Sequence, residues 1–331
     1  MYFIVEANNS DWSKYFNKCP KTNMLQCWQY GNSKNRSTRW SVIRFLILDD
    51  KENVVGLVQA LVKQLSIIGG VVRVNRGPIL TDIIPPEERE KEAVSMIKFL
   101  LKEFKKRRWW VVQIAPEIEK SNSSNLHLRN LGLRKLKRPQ YSSGLIDISL
   151  ERQDLLSNLK KKWRYYLKKG QEIEYRINIV KGDSTEVKIL IESYKKLQER
   201  NHFLGISDTL IKELAKQSGK GWQFTLLVAD KGKDFEAKEP LGMVVSIRHG
   251  STSTYFIGLT SQEGRNLNVN YVLLWQAILD AKEKGCRLFD IGGMDTTTPK
   301  GIAHFKSGLN SNLYELSGEW RIFLNPWKTL K

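Results

Sequence analysis

The sequence predicts an α/β chain (α+β in its arrangement) of two tandem domains, each a mixed sheet flanked by helices. Three observations carry that expectation. A length of 331 residues exceeds one ordinary core and gives two units of about 150 residues each. The order strand hairpin, strand, helix, buried strand occurs twice, at an offset of about 180 residues, as a duplicated domain would show. In each copy the helix joins two strands, which calls for a right-handed crossover and hence parallel pairing within an otherwise antiparallel sheet. The division is placed at 1–150 and 151–331.

Tyr2–Val5 reads as a first strand and Asp11–Lys18 as a short helix. An aromatic-rich stretch, Leu25–Lys34, follows. Ser41–Leu48 and Val54–Val62 read as β runs, and the polar 49–53 joins them as a hairpin. Ile67–Asn75 reads as a strand pair around Gly69-Gly70, broken by Arg76-Gly77-Pro78. Pro85-Pro86-Glu87-Glu88 opens a helix whose Ala93, Ile97, Leu100, Leu101 and Phe104 share one face. Trp109–Ile114 is a buried strand that Pro116 ends.

A connector then gives a short helix with a glycine turn (His127–Lys137), a strand (Tyr141–Ile148), a helix over 154–169 and a helix over Glu186–Arg200. In the second copy, Phe224–Ala229 and Leu241–Ile247 flank a charged loop, Asp230–Glu239, and Thr254–Ile257 is the third strand. Tyr271–Lys284 is an amphipathic helix with Gly285 placed to cap it. Cys286–Ile291 is a strand closed by Gly292-Gly293, and a loop rich in Thr, Pro and Lys runs on to Phe305-Lys306 and Gly308. A carboxylate, Asp290, and two glycines at a strand's C-terminal edge mark the place to look for a ligand.

The formal net charge is +19, which implies a polyanionic partner: RNA, an anionic membrane face or a phosphorylated substrate. The helix over 154–169 concentrates it in Lys160, Lys161, Lys162, Arg164, Lys168 and Lys169, with no acid between Asp154 and Glu172. Those cations repel one another unless phosphates lie among them, and Trp163, Tyr165 and Tyr166 are interleaved for stacking. Cys19, Cys27 and Cys286 lack metal spacing and read as reduced thiols of a cytosolic protein. The N-terminal apolar run is too short for a signal peptide, and no run of about 18 apolar residues spans a membrane.

The four histidines are scattered, so neither a metal site nor a Ser-His-Asp set is expected, and no cofactor is called for. Duplicated mixed units invite an acyl-CoA donor, yet the turn that would grip its pyrophosphate, Gln262–Asn268, holds one glycine, and 129–133 is no better. Cations near backbone turns remain: Lys34, Arg76, Arg200 and Lys306, each suited to a phosphate or an oxyanion.

Taken in register, these motifs resemble those of the Fem-type aminoacyltransferases, which extend peptidoglycan side chains from aminoacyl-tRNA. The motifs are Gln26-Cys27-Trp28-Gln29-Tyr30-Gly31-x-x-Lys34, Arg76-Gly77-Pro78-Ile79, Lys162-Trp163-Arg164, Asn270–Trp275, Phe289–Gly293 and Gly301-Ile302-x-x-Phe305-Lys306-x-Gly308. The resemblance implies two acetyltransferase-like (GNAT-type) domains and a peptide bond formed on an amine of a cell-wall precursor. It implies Lys306, with Phe305, at the acyl-transfer centre. Substrate contacts would come from Lys34, Trp28, Tyr30, Arg76, Arg200, Tyr255, Asn270, Asp290, Gly292 and Gly293, with Lys34 on a precursor phosphate. Lys160, Lys161, Lys162, Trp163 and Arg164 would meet the tRNA. The expected partners are aminoacyl-tRNA, a UDP- or lipid-linked precursor and the inner face of the membrane, all in the cytoplasm.

The sequence departs from the family at Ala115, where some members place an aspartate before the proline, and at Phe256, where some place a tyrosine. It also lacks a clear second phosphate-binding arginine within 201–207 and any coiled-coil arm. Two rival readings are an acyl-CoA-dependent N-acyltransferase and a non-catalytic RNA- or membrane-binding protein.

Overall fold

A computed structural model of the chain describes residues 1–65, 69–231 and 239–324. They form two compact units: Met1–Ser142 with Asp295–Thr297 and the segment from Tyr314, and Ser143–Met294 with Thr298–Leu313.

The first unit runs β1 (Phe3–Glu6), α1 (Asn9–Phe16), α2 (Trp28–Ser37), β2 (Ser41–Leu48), β3 (Val54–Leu65), β4 (Gly69–Asn75), β5 (Ile79–Leu80), α3 (Arg89–Lys106), β6 (Trp109–Ala115), α4 (Asn122–Asn130) and β7 (Arg134–Lys135). From the second unit come β8 (Ser142–Asp147), α5 (Arg152–Asn158), α6 (Lys161–Gln171), β9 (Arg176–Lys181), α7 (Thr185–Asn201), α8 (Asp208–Lys216), β10 (Trp222–Asp230), β11 (Gly242–His249), β12 (Thr252–Thr260), α9 (Gln262–Asn266), α10 (Val269–Glu283), β13 (Leu288–Asp290), α11 (Lys300–Ser307) and β14 (Asn312–Glu315). A last strand, β15 (Trp320–Phe323), completes the described chain.

The sheets repeat one pattern of pairing. In the first, β2–β3 and β3–β4 are antiparallel and β4–β6 is parallel, with α3 as the crossover. In the second, β10–β11 and β11–β12 are antiparallel and β12–β13 is parallel, with α10 between them. Beyond β6 the first sheet continues with β15 and β7; beyond β13 the second continues with β8 and β14. An open parallel edge presents unpaired backbone groups, and here each is covered by an antiparallel strand from elsewhere in the chain. The division at residue 150 therefore shifts: β8 belongs to the second sheet, and β15, expected in the second domain, belongs to the first.

The helices follow from their apolar stripes. Ala93, Met96, Ile97, Leu100, Leu101 and Phe104 of α3 bury against Val72, Val74, Val112 and Ile114 of the first sheet. Around α10 the burial extends to nearly every face, as a helix between a sheet and further helices requires, and Gly285 at φ 75° ends it in the left-handed conformation.

Several expectations are corrected. The single helix over 154–169 is two, because Leu159 and Lys160 are extended (ψ 146° and 145°) and the Lys160 amide donates to the Gly308 carbonyl at 3.0 Å. Tertiary pairing there overrides an unbroken helical pattern. The stretch expected as a loop up to Gly308 contains α11. From Gly69 the expected strand pair is one strand, β4; Ile67 and most of the loop 230–239 lie outside the described residues. Cys286–Ile291 keeps only Leu288–Asp290 as strand.

Close packing fixes α2 against β2 and β3. A Cβ on Gly31 would lie 2.1 Å from Gln59 Oε1 and 2.6 Å from Arg44 Nη2. Gly31→Ala should therefore destabilise the protein by about 1–3 kcal/mol, read as a lower urea midpoint at unchanged slope; an unshifted midpoint would mean that the glutamine and arginine move aside without cost.

Candidate functional site

In the first unit the site is built on α2. Cys27 caps the helix, its Sγ accepting from the Tyr30 amide at 3.4 Å, and the turn before it is held by glutamines. Gln26 Nε2 donates to the carbonyls of Gln59 (3.0 Å) and Asn75 (2.7 Å), and Gln59 Nε2 to those of Leu25 (3.1 Å) and Cys27 (3.0 Å). Arg44 donates to Gln59 Oε1 and to the Trp28 carbonyl, and its guanidinium lies 3.7 Å from the Trp28 ring centroid. Thus Trp28 and Tyr30 serve to fix the helix. Burial pushes the Tyr30 phenol up to about 12, so it stays neutral.

Lys34, one turn on, is different. It is half-buried with no acceptor or carboxylate at its ammonium among the described residues, and burial first, then the charge of Arg73, lowers its pKa. A partly desolvated cation beside another cation is a place where an anion is stabilised. Arg73 is held by Asn75 (2.7 Å) and Glu319 (3.1 Å); sequence reasoning missed it because it reads as one exposed position of a strand.

Arg76 is placed otherwise than a phosphate-binding cation. It is buried and makes a two-pronged pair with Glu117, Nε–Oε2 2.7 Å and Nη2–Oε1 2.8 Å. It also donates to Tyr314 Oη at 3.0 Å and stacks on Tyr141. Burial alone would raise the Glu117 pKa, but Arg76 and then Lys21 more than offset it and hold it below the ordinary 4.5. Arg76 thus braces the turn before Gly77-Pro78.

In the second unit the strands part. Pairing between β12 and β13 stops at Thr254↔Asp290, and on its other side β12 bulges at Phe256, since Ser246 pairs with Tyr255 and Val245 with Ile257. At this point Asp290, buried, turns the chain: its Oδ1 accepts from the Gly292 amide at 2.8 Å and from the Ser143 hydroxyl, which also lies 2.8 Å from the Gly292 carbonyl. Gly292 takes φ 72°, and a Cβ on it would stand 2.6 Å from the Tyr255 carbonyl, so glycine is required on both counts. Ser143 gave no signal in the sequence.

Lys306 comes to this turn from α11. Only 7% exposed, its Nζ donates to the Gly293 carbonyl at 2.9 Å and lies 5.2 Å from the Tyr255 ring centroid. Burial pushes the Tyr255 phenol up to about 12, which leaves it neutral beneath the ammonium. The helix α11 is fixed by aromatic packing: Phe305 meets Tyr271 edge-on at 5.0 Å, Trp163 meets Tyr271 at 5.1 Å, and the Trp163 indole donates to the Phe305 carbonyl at 3.1 Å. A Cβ on Gly308 would strike Trp163 at 2.4 Å. Phe305 and Trp163 therefore position Lys306, and Trp163, being buried, offers no face to a base; the exposed Tyr165 does.

The remaining expected residues are dispersed. Asn270 is half-buried in the first turn of α10, and Arg200 is exposed in the last turn of α7. Lys160, Lys161 and Lys162 are exposed, whereas Arg164 turns back to the carbonyls of Ser157 and Leu159 and Lys169 pairs with Glu172. The glycine of the expected pyrophosphate turn, Gly264, is explained by packing. Its Cα faces the Leu241 carbonyl, 1.9 Å from where a Cβ would be, and its amide donates to Ser261 Oγ.

The buried pair gives a pH prediction. The Glu117 carboxyl has a lower pKa folded than unfolded, so the pair's contribution is complete above about 4.5 and falls away as pH drops through the lower folded value. Glu117→Gln, which leaves Arg76 buried without its counterion, should cost about 3–5 kcal/mol at neutral pH. The stability difference from the parent protein should shrink as the solution is acidified below that window; a difference independent of pH would show that the carboxylate charge is not what matters.

Residues 154–307 match the family model described as an acetyltransferase (GNAT) domain. No curated protein matches the chain in sequence. Among solved structures, FemX aligns at TM-score 0.79 with 18% identity over 98% of both chains. A tandem GNAT protein from the clavulanic acid biosynthesis pathway aligns at 0.59 with 11% identity, over 99% of this chain and 100% of that one. The C-terminal domain of a lysylphosphatidylglycerol synthetase from Agrobacterium fabrum aligns at 0.53 with 10% identity, over 95% and 92%. At these identities the likeness is one of fold. The architecture expected from the resemblance to the Fem-type proteins, two acetyltransferase-like units in tandem, is the one this chain has.

Proposed function

We propose that the protein is an aminoacyltransferase, moving an aminoacyl group from the ester of an aminoacyl-tRNA to an amine of a phosphate-bearing cell-wall precursor in the cytoplasm. The observation that carries this reading is the Lys306 ammonium, buried at the parting of two strands and fixed by the Gly293 carbonyl. A preorganised cation in a desolvated place stabilises charge that develops during reaction, because the protein does not have to reorganise around it.

In the proposed reaction the precursor amine attacks the ester carbonyl. The C–N bond forms, the carbonyl oxygen takes up negative charge beside Lys306, and the bond to the tRNA ribose oxygen then breaks. The ribose oxygen leaves with a proton given up by the attacking nitrogen. The donor is already activated, so positioning and charge stabilisation suffice, and no protein nucleophile is needed. Lys34, with Arg73 near it, is assigned to a precursor phosphate, UDP- or lipid-linked. The exposed Lys160, Lys161 and Lys162 are assigned to the tRNA backbone.

A second reading, transfer from acyl-CoA, is favoured by the GNAT domain match and by the likeness to the tandem GNAT protein. Against it stands Gly264, whose amide and open side are both taken up within the fold. An assay separates them: turnover that requires charged tRNA and stops on adding RNase supports the first, and turnover with acyl-CoA alone supports the second.

Lys306→Ala should lower kcat by about 10²-fold with a modest change in KM, measured under saturating donor; near-normal kcat would remove Lys306 from the chemistry. Neutralising Lys160, Lys161 and Lys162 together should reduce the dependence of log Kd on log salt for tRNA by about two units. An unchanged slope would return those lysines to a merely solvated face.

A further inference from the structure

Of the large apolar side chains described, Leu204 is the most exposed, at 105% of its reference area. It stands at the apex of a short loop, 203–206, between α7 and α8, and the loop is pinned at both ends. Where α7 stops, His202 takes the left-handed conformation at φ 50°, and the Phe203 amide donates back to the Gln198 carbonyl at 3.3 Å, as in a Schellman ending. The Phe203 ring meets Tyr194 edge-on at 6.1 Å. Gly205 lies against the same tyrosine, 2.3 Å from its Oη to where a Cβ would be, and the Ile206 amide donates to that Oη at 3.4 Å. Ser207 then caps α8 through the Leu210 amide. The apex is thus held outward by design of its neighbours, with little freedom left to lose on burial.

Charge accompanies it. Lys195, Lys196 and Arg200 are exposed on the last turns of α7, with Glu199 as the acid among them. At 1.5 Å per residue these cations stand roughly 2–9 Å behind the helix end. That is about the depth, 5–10 Å, between lipid headgroup phosphates and the acyl boundary that interfacial elements reach. An aliphatic apex suits hydrocarbon better than RNA, which takes aromatic faces, and the loop's one ring, Phe203, packs against Tyr194 while staying 39% exposed. We propose that the 203–206 loop enters the acyl boundary of an anionic bilayer, with Lys195, Lys196 and Arg200 at the headgroup phosphates. This stands apart from the acyl-transfer reading and holds or fails without it.

The test is co-sedimentation of the full chain with vesicles of equimolar phosphatidylglycerol and phosphatidylcholine, compared with phosphatidylcholine alone. The chain should bind the anionic vesicles, and Leu204→Asp should weaken that binding on the order of 10-fold or more. Leu126→Asp, an exposed leucine on α4, adds the same charge elsewhere and should weaken it far less; circular dichroism checks that both variants stay folded. Failure of the parent chain to bind, or equal binding by Leu204→Asp, overturns the proposal. Equal losses in the two leucine variants overturn it as well, since net charge alone would then account for the attachment.

Discussion

The second unit depends on how one carboxylate closes a strand. Asp290 sits at the last parallel pair between β12 and β13 and accepts from the amide two residues on and from Ser143 on the neighbouring strand. Those contacts compel the chain to turn, and only glycine can follow it with a positive φ while passing beside the Tyr255 carbonyl. The carbonyl that emerges from the turn, that of Gly293, is the acceptor for Lys306. Removing the carboxylate would take its acceptor from the buried Gly292 amide, leave the Ser143 hydroxyl with the Gly292 carbonyl alone, and free the turn that aims the ammonium. The position of the proposed catalytic group is thus a consequence of strand geometry and is not a property of α11 alone.

The first unit solves a similar problem with neutral amides. The Gln26 side chain donates to the Gln59 and Asn75 carbonyls and accepts from the Gln59 amide, while the Gln59 side chain donates to the Leu25 and Cys27 carbonyls, which ties the start of α2 to β3 and β4. Arg76 reads as a binding cation in the sequence, yet it is locked to Glu117, and Arg44 is laid on Trp28. Lys34 is a half-buried cation with no acceptor or carboxylate at its ammonium among the described residues, and burial, then the charge of Arg73, lowers its pKa. A half-buried cation left in this way marks a place where an anion is wanted.

The repeated order of strands and the crossover helices were legible in the sequence because periodicity and glycine placement are local signals. Val54 to Val62 is a largely apolar run that follows a polar turn, α3 shows its stripe, and Gly285 sits where only glycine ends a helix cheaply. Phe305-Lys306 was legible as a motif, but the helix around it was not. Its residues lack a strong helical pattern, and α11 is held by Trp163 and Tyr271 from distant parts of the chain. The break at Leu159-Lys160 was hidden for the same reason, since its cause is the carbonyl of Gly308. Ser143, Arg73 and Glu117 were missed because a serine, an arginine or a glutamate in a strand or after one carries no spacing that announces its partner.

Net charge, finally, has to be weighed residue by residue. The run from Lys160 to Lys169 looks like a uniform basic face, yet Arg164 is used on helix-end carbonyls and Lys169 on Glu172. Trp163 and Leu167 are buried as the packing stripe. Exposed and not paired with an acid among the described residues is a smaller set, Lys160, Lys161, Lys162 and Lys168, with Tyr165 beside them. Like charges gathered on one exposed face repel one another, so a polyanion lying across them gains both its own attraction and the relief of that repulsion. A surface built that way binds by charge and shape and reads no sequence. That suits the proposed donor, whose backbone is charged throughout.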